Sequence, residues 1–234
     1  MEPAGRDCLT CLVRGTDCFC SLPVEALAEL QAIGSHMRLH AGERLLHEGY
    51  SADKVYVVCE GRLKLSASSA EGRLLLVRIA GPGDVLGLAA AMKGTEHRLT
   101  AESLERCEVK AISRVEFLGF MEKFREVGRN TVASVSLEYE GAIMSARRLA
   151  LSGSAAGKLA SVLLDWGRMG ARSNQKEPME FNMPLTHEEL GSMAGISRET
   201  VTRLLARFRK EKMVQQDGER ITLLQPEKME TLYR

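Results

Sequence analysis

Apolar residues in this chain switch between two periods, and each switch marks an element. From Arg38 to Ser113 they alternate, as in Val55, Val57 and Cys59 against Tyr56 and Val58, with glycines repeatedly breaking the pattern. Period-two alternation cut by turn residues predicts short antiparallel strands. Helical spacing flanks this stretch. Leu27, Leu30 and Ile33 predict a short helix over Val24–Ile33. Between Arg114 and about Leu151, Val132, Val135, Tyr139, Ala142, Ala146 and Leu149 step by three and four, a coiled-coil-like seam. Leu151-Ser-Gly-Ser154 then reads as a hinge, Lys158–Trp166 as a helix, and Gly170–Pro178 as a polar loop.

The C-terminal third carries the sharpest local signal. Thr186 with Glu189 three residues on has capping-box spacing, and Leu190, Met193 and Ala194 follow at helical intervals. Gly195 breaks that helix, and Ser197 caps a second one whose apolar positions Val201, Leu204, Leu205 and Phe208 share a face. Arg198, Glu199, Thr202 and Arg203 fall outside the stripe, in the first two turns, where a recognition helix meets base edges in the major groove. Arginine grips guanine with two hydrogen bonds, and a carboxylate accepts from cytosine. Met213–Leu224, with Asp217-Gly218 at its centre, reads as a hairpin wing.

Ser197-Arg-Glu-Thr-Val-Thr-Arg203 resembles the recognition helix of the Crp/Fnr family of bacterial transcription regulators. Gly42–Gly49, Val55–Gly61 and Ala80–Gly87 resemble the glycine-punctuated strands and turns of that family's cyclic-nucleotide-binding-type β-roll. The resemblance implies an α+β fold. Its parts are a cysteine-rich module over 1–22, a β-roll (jelly roll) sensor over 23–125, a long dimerisation helix over 126–151 and a winged helix-turn-helix over 152–234. A two-fold dimer presents two recognition helices about one turn of DNA apart, so the expected operator is an inverted repeat. Arg198 and Arg203 are expected to read guanines and Glu199 a cytosine, with Ser197, Thr186 and Thr202 beside them. The resemblance to the cyclic-AMP-receptor branch implies a TGTGA-like half-site. RNA polymerase is an expected further partner.

Charge sharpens this picture. The 234-residue chain carries a formal net charge of only +1, so it has no global field for nucleic acid. Between Arg198 and Lys212, however, six Arg or Lys face two acids. That basic stripe suits phosphate contacts. No apolar run reaches membrane-spanning length and the N-terminus lacks a signal-peptide core, so a cytoplasmic protein is expected.

Two effector chemistries present themselves. Cyclic-AMP-binding relatives carry a ribose-binding glutamate after this turn and an Arg-Ser or Arg-Thr pair further on. Here the candidate pocket residues are Gly87, Leu88, Arg98 and Thr100. Leucine cannot accept a hydrogen bond from a ribose hydroxyl, which argues against cyclic AMP.

Cysteines are the second chemistry. Cys8, Cys11, Cys18 and Cys20 lie near the N-terminus, and Cys59 and Cys107 in the strand region. CxxC spacing lets Cys8 and Cys11 converge on one metal, and four thiolates suit zinc or an iron-sulfur cluster. The segment resembles the Fnr branch, whose oxygen-labile [4Fe-4S] cluster takes three N-terminal cysteines and a fourth from the roll. The implied set is Cys8, Cys11, Cys18 and Cys107, with Cys20 as a rival ligand. The family's fourth position falls on Lys110, however, and Cys107 lies three residues earlier, an odd step that turns it to the opposite face of a strand. Cys59 reads as a small core residue. Zinc or no metal remains open.

Enzyme chemistry finds little support. Gly153–Lys158 is one residue short of a phosphate loop and is followed by Leu159, and His187-Glu188 lacks its second histidine at Gly191. The alternative to a DNA-binding regulator is a zinc-bound or metal-free thiol protein that signals through protein contacts, with a degenerate DNA domain.

Overall fold

A computed structural model describes residues 7–14, 18–170 and 178–233. The chain divides into two compact units, the first comprising 1–67 and 77–141 and the second 68–76 and 142–234.

Eight short strands, which apart from Ser68 and Leu74–Leu76 belong to the first unit, precede the long helical region: β1 (Ser35–Leu39), β2 (Arg44–Leu46), β3 (Lys54–Glu60), β4 (Leu63–Ser68), β5 (Leu74–Ala80), β6 (Val85–Leu86), β7 (Thr100–Ser103) and β8 (Cys107–Ser113). They form two four-stranded sheets, in the orders β1-β8-β3-β6 and β2-β7-β4-β5. Leu39, Leu46, Val58, Leu63, Leu65, Leu86, Cys107 and Val109 fill one core. Val55, Val57 and Ile112 instead join a second core with Leu27, Leu30, Phe117, Phe120 and Phe19. The β1-β8-β3-β6 sheet is therefore covered on both faces, which is why six of the seven β8 residues are buried. The covering helices are α1 (Val24–Ala32) and α3 (Arg114–Lys123), the latter held at Ser113 by a capping box with Glu116.

The expected helical region from Arg114 to Leu151 is two helices. Phe124 takes an extended conformation and separates α3 from α4 (Arg125–Leu151). The apolar seam on α4 is left open: Val132, Val135 and Tyr139 are 66%, 37% and 68% exposed. A short helix, α2 (Leu88–Lys93), follows β6 and starts at Gly87, whose φ of 84° favours glycine.

The second unit contains α5 (Ala155–Gly170), β9 (Met179–Asn182), α6 (His187–Ala194), α7 (Arg198–Lys210), β10 (Val214–Asp217), β11 (Arg220–Leu223) and α8 (Pro226–Tyr233). The expected wing exists, with Gly218 at φ 58° beside Asp217. It also gains a third strand, since β11 pairs with β9 as well as β10. The centre of the expected Gly170–Pro178 loop, 171–177, lies outside the described residues. No described helix is long and apolar enough to cross a membrane.

Candidate functional site

The surface around α7 follows from local capping. Thr186 accepts from the Glu189 backbone N–H, and the Glu189 carboxylate returns a bond to the Thr186 N–H at 2.9 Å, closing the capping box that starts α6. Gly195 ends the helix at φ 64°, donating its N–H back to the Gly191 carbonyl. Ser197 then accepts from the Thr200 N–H and starts α7. Gly191 lets the two helices close: a Cβ there would stand 2.7 Å from the Ile196 carbonyl oxygen. His187 Nδ1 lies 2.8 Å from the Thr202 hydroxyl, a second tie between α6 and α7.

Val201, Leu204, Leu205 and Phe208 are buried, while Arg198, Glu199, Thr202 and Arg203 are exposed on the other side of α7. Hydrogen bonds from its own backbone N–H and from Ser197 hold the Glu199 carboxyl below the usual range. It is therefore a charged acceptor. The Thr202 hydroxyl donates to the Arg198 carbonyl, so part of its capacity is used inside the helix. Arg207 is turned away, paired with Glu211 at 2.7 Å and lying over the Tyr233 ring.

The candidate effector residues do not form one pocket. Gly87, Leu88 and Arg98 line a cavity of about 270 Å³, together with Lys93, Glu96 and Glu138. Leu88 is 1% exposed and belongs to the core. Thr100 stands outside the lining, its hydroxyl accepting from the Glu48 N–H.

The cysteines are arranged differently from the expected set. Cys8, Cys11, Cys20 and Cys59 line one apolar cavity with Val57, Leu30 and Lys110. Cys107 is not among them. It sits in the opposite core, 1% exposed, its thiol against the carbonyls of Arg62 and Glu105 at 3.3 Å each. Its odd offset from Lys110 on β8 puts it on the other face of the sheet. Cys18 packs against Gly83 rather than lining the cavity. Cys59, read from the sequence as a small core residue, also lines this cavity. It lies on β3 where the register with β8 shifts between Val58 and Glu60, two residues past the Val57–Lys110 pair.

Burial pushes the Cys59 thiol up to about 12, with Cys8 adding to the effect. Burial also pushes Cys20 up, helped by Cys18 and Cys59, and raises Cys8 against the opposing charge of Lys110. Lys110 is 1% exposed, and its ammonium donates to the Gln31 carbonyl at 3.1 Å. Burial lowers its affinity for a proton while Cys8 and Cys59 raise it. Among the described residues, no three His, Cys, Asp or Glu side chains stand in metal-ligating geometry.

Residues 36–124 match the cyclic nucleotide-binding domain, and 157–232 match the Crp-like helix-turn-helix domain. The chain is 25% identical over 237 residues to the nitrogen fixation regulation protein FixK of Bradyrhizobium diazoefficiens, covering 99% of this chain and 96% of that protein. It is 26% identical to the transcriptional activator protein FnrL of Cereibacter sphaeroides, covering 91% and 86%. The structure of FixK2 from Bradyrhizobium japonicum has the same fold, with a TM-score of 0.76 at 23% identity over 86% of this chain and 98% of that one. With both domain matches in order, and a helix-turn-helix whose exposed face carries Arg198, Glu199 and Arg203, the chain belongs to the Crp/Fnr family of DNA-binding transcription regulators.

Proposed function

We propose that two copies of the chain pair along the open stripe of α4 and lay two α7 helices on an inverted-repeat operator. The observation that carries this reading is the division of α7 into a buried apolar face and an exposed Arg198-Glu199-Arg203 face. Arg198 and Arg203 each take a guanine through paired hydrogen bonds, and Glu199 accepts from a cytosine amino group, on a TGTGA-like half-site. Backbone N–H groups at the helix starts capped by Thr186 and Ser197 supply phosphate contacts. Residues 126–151 serve as the dimer helix and 152–234 as the DNA-binding domain, in a cytoplasmic protein that works with RNA polymerase.

The module 1–22 supplies the switch, through a thiolate-held centre of the iron-sulfur or zinc type. What supports this is the gathering of cysteines in one buried cavity, beside a β-roll (23–125) in which Leu88, the residue that the resemblance sets at the ribose contact, is buried in the core. Fluorescence anisotropy of the Arg198→Ala variant on an operator and its single-base variants tests the recognition chemistry. Preference relaxes at one base pair, at a cost of roughly 1–3 kcal/mol. Equal losses on every sequence would reduce Arg198 to a phosphate contact.

A further inference from the structure

We infer that the cavity between the last turns of α4 and the helix α5 is a binding site for a small organic monocarboxylate, a second chemical input to this regulator. The inference goes beyond the operator and thiol readings and rests on neither.

The cavity encloses about 250 Å³, with Met144, Arg147 and Arg148 of α4, Ser152 of the connection and Ser161 of α5 on its wall. All of these belong to the second unit. Helical spacing sets positions 144, 148 and 151 on the side of α4 opposite Ala142, Ala146 and Leu149 of the apolar stripe. Pairing along that stripe therefore leaves this face of α4 free.

Buried polar groups on the wall are the first support. The Arg148 guanidinium, its side chain 5% exposed, donates to the Asp165 carboxylate at 3.2 Å and to the Ser145 hydroxyl at 3.1 Å. Its Nε–H is buried and has no partner among the described residues. Ser161 is 6% exposed, and no described residue bonds its hydroxyl. Buried donors left unpaired are costly, so both call for an acceptor between them.

Charge and size select the ligand. Asp165 balances Arg148, whereas the neighbouring Arg147 is exposed and has no ion pair among the described residues. One uncompensated positive charge suits a monoanion, and the planar guanidinium fork matches a carboxylate through two parallel bonds. Met144 and Leu151 supply an apolar wall for the body of the acid. A space of about 250 Å³ lies just under the range that drug-sized ligands occupy, which limits that body to a few carbons. The bound acid spans α4 and α5 across the Leu151–Ser154 connection. Because α5 packs on both α6 and α7, the site is in contact with the scaffold of the reading helix.

Isothermal titration calorimetry of the full chain without DNA tests this, with hexanoate as the probe and acetate, hexanamide and inorganic phosphate beside it. Hexanoate binds saturably, one per chain, and at least about tenfold tighter than acetate, because its added methylenes meet Met144 and Leu151. Hexanamide has the same shape without the charge and binds at least about tenfold more weakly. Arg147→Ala and Ser161→Val each weaken hexanoate by at least about fivefold, and Arg129→Ala, an arginine elsewhere on α4, leaves it unchanged. Arg147 is exposed, so its variant keeps the fold whatever becomes of the buried Ser161 variant. Hexanoate raises the melting temperature of the wild-type chain and not that of Arg147→Ala. The assignment is overturned by any of four results: no saturable hexanoate heat, equal binding of hexanamide, tighter binding of phosphate than of hexanoate, or unchanged hexanoate affinity in Arg147→Ala. Failure here leaves the operator proposal standing, since no DNA is present, and the reverse also holds.

Discussion

The side-chain amide of Asn130 on α4 donates to the Phe19 carbonyl at 3.0 Å, and also reaches the Ser21 carbonyl at 3.0 Å. These carbonyls flank Cys20, so one residue of the long helix holds the backbone on either side of a cavity-lining cysteine. Phe19 is itself fixed, 2% exposed and in ring contact with Phe117 at 6.0 Å. Asn130→Ala removes two bonds worth about 0.5–1.5 kcal/mol each. Hydrogen exchange should accelerate in 18–22 and stay unchanged in α7.

Gly191→Ala places a methyl group 2.7 Å from the Ile196 carbonyl, which neither helix can avoid without moving. A cost of about 1–3 kcal/mol is expected from this overpacking. Thermal denaturation should show it, and affinity should fall on specific and random DNA together. That pattern separates a scaffold effect from loss of a base contact.

Arg148 and Asp165 make a second fixed relationship within the C-terminal unit. The guanidinium, its side chain 5% exposed, lies 3.2 Å from the carboxylate, and burial lowers its proton affinity against the pull of Asp165. Asp165→Asn leaves a buried charge without its partner and should cost about 3–5 kcal/mol. The double variant Arg148→Met with Asp165→Leu should recover most of the lost melting temperature.

The open stripe on α4 predicts a separable effect. Val132 and Tyr139 are exposed within the protomer, so Val132→Glu with Tyr139→Glu should leave the protomer folded, with a melting temperature that no longer depends on protein concentration. Light scattering should report a monomer, and operator affinity should collapse because only one α7 is delivered per binding event.

Much of the DNA-binding surface was legible because its determinants are local. The Thr186 and Ser197 caps, the Gly195 break and the four-residue apolar face of α7 are each set by residues within one or two turns, and each appears where spacing placed it. The extra strand β9 was not, since its four residues gain their identity from pairing with the distant β11. The break at Phe124 was hidden because neither Gly nor Pro marks it.

The shared cavity of Cys59 and Lys110 was not legible for the same reason that β9 was missed. Alternation along β3 shows that Cys59 shares a face with Val55 and Val57. It does not show that β8 lies alongside with Lys110 in register, or that the N-terminal turns cover that face. The parity argument for Cys107 needed no partner strand, and the structure agrees with it.

Selection of random-sequence DNA by the full-length protein tests the central claim most directly. Reading by a pair of α7 helices predicts an enriched inverted repeat whose half-site centres lie about 10–10.5 base pairs apart, with guanine positions that lose their preference in the Arg198→Ala and Arg203→Ala variants. Absence of any enriched sequence in every redox condition, or a selected motif unchanged by both variants, would contradict it.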